Sequence, residues 1–156
     1  MEWAALITWV LTAGGGFVML AIWLRSGGME QSSPTPADAN PLVRPPLILG
    51  HFALAATGLV LWIIYVASDS NVLAWIAFVL LLVVALMGFT MLAIWLRQRS
   101  TSPAATPAPA DTTAPATASP SKPAEQRFPV PVVGAHGVLA ATTLVLVFLA
   151  AIGVGS

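Results

Sequence analysis

The sequence predicts an all-α membrane fold, a transmembrane four-helix up-down-up-down bundle made of two tandem helical hairpin repeats. Three observations predict it. The chain is 58% hydrophobic and only 8% charged, against roughly 25% charged residues in a soluble domain. Four apolar stretches, at about residues 3–24, 47–67, 72–96 and 128–152, contain no Asp, Glu, Lys or Arg, and each reaches about the 20 residues that span a hydrocarbon core. Finally, the chain contains itself twice. Met19 to Arg25 read Met-Leu-Ala-Ile-Trp-Leu-Arg, and Met91 to Arg97 read the same, 72 positions later.

The first stretch is expected to be a retained span, because Met1-Glu2-Trp3 lacks a basic leader and the run is long for the core of a signal peptide. A polar loop separates it from the second span, which starts near Pro46, a residue tolerated in the first turn of a helix. The turn Ser68-Asp69-Ser70-Asn71 follows, with Asp69, Ser70 or Asn71 able to cap the third helix. So short a turn makes the second and third spans antiparallel neighbours. Residues 98–127 read as a Pro/Ala/Thr-rich linker, expected to be disordered or polyproline-like because it has little apolar surface to bury. The fourth span begins near Pro131. The chain divides into a first hairpin, residues 1–68, and a second, residues 69–156.

Both hairpins run in the same sense, so a pseudo-two-fold axis along the membrane normal can relate them. Between the halves, 12 of 23 positions match over residues 3–25 at an offset of 72, and 9 of 16 match over residues 46–61 at an offset of 85. The shared residues are therefore candidates for the packing seams: Gly16 and Gly88, Met19 and Met91, Trp23 and Trp95. Small residues let helices approach closely in lipid, and thioethers fill irregular gaps.

All six Lys and Arg residues lie in or beside the two long loops, with Arg25 and Arg44 flanking the first and Arg97, Arg99, Lys122 and Arg127 at the second. Positive loops stay cytoplasmic. The expected location is a plasma (inner) membrane, with both long loops in the cytoplasm and both termini outside. Trp3, Trp62, Tyr65 and Trp75 would mark the outer interface and Trp23 and Trp95 the inner one.

Several function classes fall away. With no cysteine, thiolate zinc sites, cysteine-ligated clusters and covalently attached haem are excluded. A formal net charge of zero, without a basic patch, argues against a nucleic-acid partner. The spans hold no carboxylate for a proton relay, and no acid is placed to orient an imidazole for Ser-His-Asp chemistry.

The one chemical clue is the pair of histidines. His51 opens His-Phe-Ala-Leu-Ala-Ala-Thr, His136 opens His-Gly-Val-Leu-Ala-Ala-Thr, and a proline stands five residues before each, Pro46 and Pro131. Both lie about 7.5 Å into their helices at 1.5 Å per residue, and so share one depth. If four helices fill a square in chain order, the second and fourth are diagonal, and the two imidazoles face each other across a gap that one iron could fill. Small residues follow each histidine at i+4 and i+7, Ala55 and Gly58, then Ala140 and Thr143. Arg25, Arg44, Arg97 and Arg127 stand near the same boundary, where guanidinium matches carboxylate.

In plan the chain resembles the b-type membrane cytochromes that hold haem between histidines of a four-helix bundle. That resemblance implies His51 and His136 as axial ligands of one haem b and the four arginines as partners of its propionates. The departure is in number: relatives that carry electrons across a membrane use four histidines for two haems. The chain is also similar to small bacterial four-span membrane proteins, a likeness that implies location alone. A duplication copies any residue, so the matched histidines read first as a structural or pH-responsive pair and second as haem ligands.

The leading expectation is therefore a non-catalytic accessory or assembly component of a membrane complex, in contact with the lipid bilayer and a larger redox or membrane partner. The alternative is a bis-histidine b-haem protein acting as an electron-transfer or quinone-linked partner. Third comes a passive transporter, which would need a homodimer to enclose a route.

Overall fold

The computed structural model describes residues 1–29, 45–101 and 124–154. These form four long helices: α1 (Glu2–Arg25), α2 (Pro45–Ser68), α3 (Asn71–Thr101) and α4 (Val130–Ala151), with a single turn of 3-10 helix at Ala124–Arg127 before α4. All four are long and apolar enough to cross a membrane, and the protein is a multi-pass membrane protein with a four-helix bundle fold. Around the bundle the order is α1, α2, α3, α4. The closest neighbours are α1 with α4 and α2 with α3, while the seams α1–α2 and α3–α4 are lighter. The tight pairs thus join one hairpin to the other, and α2 and α4 are diagonal, as are α1 and α3.

Helix ends follow local chemistry. After Arg25 the chain reads Ser26-Gly27-Gly28, and α1 closes in a Schellman motif: Gly28 N–H donates to Trp23 O at 3.0 Å and Gly27 N–H to Leu24 O at 3.2 Å. Gly27 has φ +75°, a conformation that costs an L side chain about 1–2 kcal/mol. The identical segment of α3 is followed by Gln98-Arg99-Ser100, which lacks these glycines, and α3 runs on to Thr101. The linker expected from residue 98 therefore starts later, since helix formers continue a helix until something stops it. It also ends earlier, because Ala124–Arg127 is helical. The disorder expected between them falls on residues 102–123, outside those described. α4 ends as α1 does, with Val154 N–H on Leu149 O at 2.9 Å and Gly153 N–H on Ala150 O at 3.0 Å.

The turn between α2 and α3 uses Asp69 at φ +52°, its N–H on Tyr65 O at 2.9 Å. Aspartate is among the few residues that accept this left-handed geometry. Ser70 takes the cap position of α3, its carbonyl receiving the N–H of Leu73 at 2.8 Å. The first turns of α2 and α4 start one residue before the prolines taken as their starts, at Pro45 and Val130.

One end of the bundle gathers the α2–α3 turn and the start of α1, and it holds the main core of Ala5, Trp9, Trp62, Tyr65, Ala74, Ala77, Leu81 and Val147 with Ala150 and Ala151. Trp62 is fully buried, 6.2 Å from Trp9 and 4.7 Å from Tyr65 between ring centres. Trp62 and Tyr65 thus turn inward instead of facing an interface, whereas Trp3 is 67% exposed. Their polar atoms find α1: Tyr65 Oη donates to Glu2 Oε1 at 2.8 Å and Trp62 Nε1 to Glu2 O at 3.4 Å. Trp9 fits because α2 offers glycine there; a Cβ on Gly58 would meet Trp9 Cζ2 at 3.0 Å. At the corresponding positions of the second half stand Leu81 and Thr143, both buried. Close packing demands such pairing of large with small.

Candidate functional site

The opposite end carries the long loops and the histidines. His51 is the seventh residue of α2 and His136 the seventh of α4, so each lies about 9 Å in from its helix start at 1.5 Å per residue. The square arrangement turns both rings toward the bundle axis from opposite corners. Their centroids are 6.5 Å apart, with planes inclined at 55°.

The other diagonal makes room for them. An ideal Cβ on Gly16 of α1 would stand 3.4 Å from His136 Cε1, and one on Gly88 of α3 would stand 3.4 Å from His51 Cε1. Gly16 and Gly88 are 72 residues apart and His51 and His136 are 85 apart, so matched positions make matched contacts. Gly15 adds to the His136 seat, 3.5 Å from Nδ1. Gly14, by contrast, faces open space.

Polar partners are less evenly shared. His136 Nδ1 is 2.9 Å from the Thr12 carbonyl. A carbonyl only accepts, so Nδ1 carries the proton and Nε2 keeps its lone pair. The Val84 carbonyl, which matches that of Thr12, is the backbone partner of the enclosed His51 ring, in a weaker contact than the one His136 makes. Below the pair the bundle is filled: Thr12 Oγ1 reaches Thr143 Oγ1 at 3.3 Å, and Trp9 occupies the notch at Gly58. Space at i+7 from each histidine, expected from the sequence, is thus already used.

The remaining sequence candidates are placed as follows. Arg25, Arg97 and Arg127 are exposed at the loop end of the bundle, and Arg44 lies outside the described residues. Arg99 stacks over Trp95 at 4.7 Å. Met19 and Met91 are half-buried, and Trp23 and Trp95 are buried. The 3-10 turn at Ala124–Arg127 packs against both α1 and α3, with Ala124 fully buried, and so lies across the loop end. Reasoning from sequence missed Thr12 and did not connect Gly15, read only as thinning α1, to a histidine. The run Gly14-Gly15-Gly16 was the available signal, but nothing in it says which glycine meets an imidazole.

An open cleft of about 880 Å³ lies at the turn end, lined by Glu2, Tyr65, Asp69, Asn71 and Trp75 among others. It is some 20 Å from the histidines by helix rise, and its Glu2 carboxylate already accepts from Tyr65. The histidine pair is the better candidate, because two inward imidazoles are a donor set. Among the described residues no group of three or more His, Asp or Glu side chains is arranged to hold a bare metal ion. Comparison with known proteins returns no matching family model, curated protein or solved structure.

Proposed function

We propose that the protein is a b-type haem protein of the membrane, with His51 and His136 as the two axial ligands, acting as an accessory electron-transfer component of a larger redox complex. The observation that carries this reading is the 6.5 Å separation of the two rings across the bundle diagonal. Two metal–nitrogen bonds of about 2.0–2.1 Å, plus roughly 1.1 Å from each ring centre to its nitrogen, span about 6.3 Å. Two imidazoles without further ligands suit an iron whose other four positions are filled by a macrocycle, and non-covalent haem suits a chain without cysteine.

Shape supports the same group. A haem held between the two rings would lie beside Gly16 and Gly88, the residues of α1 and α3 that stand next to the imidazoles. The Nδ1–H of His136 is held by a carbonyl, an outer contact that orients a ligating imidazole and leaves Nε2 for the metal. Arg25, Arg97 and Arg127 stand on the side toward which propionates would emerge, with Arg44 close in sequence. When bound, haem supplies a one-electron carrier; the chain supplies its ligands, its apolar surroundings and its depth.

The basic residues beside both long loops support a cytoplasmic position for this end in a plasma membrane, with both termini outside. One haem near one face does not carry an electron across, so the protein serves a partner complex and has no turnover of its own. An absorption spectrum of protein purified in mild detergent, after expression with ample haem, tests the reading. Low-spin haem bands lost in His51→Ala/His136→Ala, with helical content unchanged, are expected. Colourless wild-type protein that also fails to take up added haemin overturns it and returns the pair to a packing role.

A further inference from the structure

We propose that the open cleft at the turn end is a binding site for an organic ammonium ion, a second site that does not depend on the histidines at the other end of the bundle. The cleft has a volume of about 880 Å³, within the range of roughly 300–1,000 Å³ over which pockets take small molecules. Its walls combine two kinds of group: the carboxylates of Glu2 and Asp69, and the aromatic rings of Trp3, Tyr65 and Trp75. Met1 lines it as well, so two carboxylates face one ammonium group and the walls keep a net negative charge. The described arginines, Arg25, Arg97, Arg99 and Arg127, all belong to the opposite end.

Each wall is held in place. Tyr65 Oη donates to Glu2 Oε1 at 2.8 Å, and Trp62 Nε1 to the Glu2 carbonyl at 3.4 Å, which keeps the Glu2 side chain beside the Tyr65 ring. An ionised carboxylate accepts at both oxygens, so this bond leaves it charged and able to accept more. Asp69 is placed by the turn, its N–H on Tyr65 O at 2.9 Å. Trp75 is braced edge to face by Phe78 at 5.8 Å, and Phe78 by Phe148 at 5.3 Å. Trp3 and Trp75 stay exposed and keep ring surface open to a ligand. Two carboxylates are too few for a bare metal ion, and no third acidic or histidine side chain joins them among the described residues. An alkylated ammonium differs from a metal ion in being weakly hydrated, and ring faces attract it through their quadrupole. Two acids for its charge and three rings for its methyl groups suit that ion. At the end of the bundle it arrives free in solution or as the headgroup of a lipid, with the same chemistry in either form.

The test titrates full-length protein in maltoside detergent with tetramethylammonium chloride at constant ionic strength, read by calorimetry and tryptophan fluorescence. Saturable binding is expected, with neither sodium nor the neutral analogue tert-butanol able to replace the ion. Trp75→Leu and Asp69→Asn, the latter an exchange that the left-handed turn accepts, are each expected to weaken binding about two- to fivefold. Circular dichroism shows whether each variant is folded, and Trp3→Leu, at an exposed position in the first turn of α1, repeats the test of the rings if Trp75→Leu is not. His51→Ala/His136→Ala is expected to bind the ion as wild type does, which keeps this site separate from the haem reading. In nanodiscs, binding that persists in phosphatidylglycerol and is lost in phosphatidylcholine supports the site and assigns it to a lipid headgroup; equal binding in both supports it and assigns it to a free ion. No saturable binding in maltoside, tert-butanol or sodium bound as tightly as tetramethylammonium, or folded ring and acid variants that bind like wild type overturns the inference.

Discussion

Replacing Gly58 by alanine tests whether a single missing Cβ fixes the packing of the turn-end core. The added atom would lie 3.0 Å from Trp9 Cζ2, 3.3 Å from Trp9 Cη2 and 3.8 Å from Leu80 Cβ. Trp9 has little freedom to retreat, since it is buried and its ring sits 6.2 Å from that of Trp62. Overpacking of this kind costs about 1–3 kcal/mol, set against about 1 kcal/mol gained when alanine replaces glycine inside a helix. Gly137→Ala is the control: it also lies within a helix, but nothing stands within 4 Å of its Cβ position. The control is expected to be neutral or stabilised by up to about 1 kcal/mol, so the two variants differ by about 1–3 kcal/mol, the steric part alone. At about 2–4 °C per kcal/mol, thermal unfolding in mild detergent followed by circular dichroism resolves the difference. The second half of the chain names the rescue. Leu81 and Thr143 occupy the positions that match Trp9 and Gly58, so Gly58→Thr alone should be severely destabilised and Trp9→Leu/Gly58→Thr should recover most of the loss. Gly58→Ala as stable as Gly137→Ala, or no coupling between positions 9 and 58, would refute the reasoning.

Three further outcomes are expected. Tyr65→Phe and Glu2→Ala each remove the 2.8 Å hydrogen bond that ties α1 to α2, worth about 1 kcal/mol in a part-buried setting; a double-mutant cycle in which the two losses add in full would show that the bond contributes nothing. Gly28→Ala drives a Cβ into the Trp23 indole, so hydrogen exchange at the end of α1 should accelerate while that at the end of α3 stays as it was, and equal protection in both would contradict the Schellman closure. A cysteine placed at Ala110 is expected to resist membrane-impermeant labelling in intact cells, and a reporter fused after Ser156 to be active only outside; the reverse pattern overturns the orientation read from the basic residues.

Much of the architecture was legible because lipid makes it so. A segment without water to solvate its backbone must close its own hydrogen bonds, so four uncharged apolar stretches become four helices. Their limits were less legible. Arg25 and Arg97 end identical heptapeptides, yet α1 stops and α3 continues, and the difference lies in Gly27-Gly28 against Arg99-Ser100 after the repeat. The candidate site was half legible. His51 and His136 could be set at one depth and on diagonal helices from their spacing alone. The backbone groups that meet the rings could not, because the Thr12 carbonyl is a backbone group and every residue has one.

The sequence by itself determined an all-helical membrane chain, its doubled plan, the level of the two histidines and the glycines that match each other across the halves. These follow from hydropathy, helix rise and internal identity, which are properties of the chain taken along its length. Only the tertiary structure decided that the tight pairs are α1 with α4 and α2 with α3, that Trp62 and Tyr65 face inward, and that the Thr12 carbonyl meets the His136 ring. Those depend on which faces meet, and helices equally apolar all round carry no stripe to say so. Packing chose the faces, at places where a Trp meets a Gly.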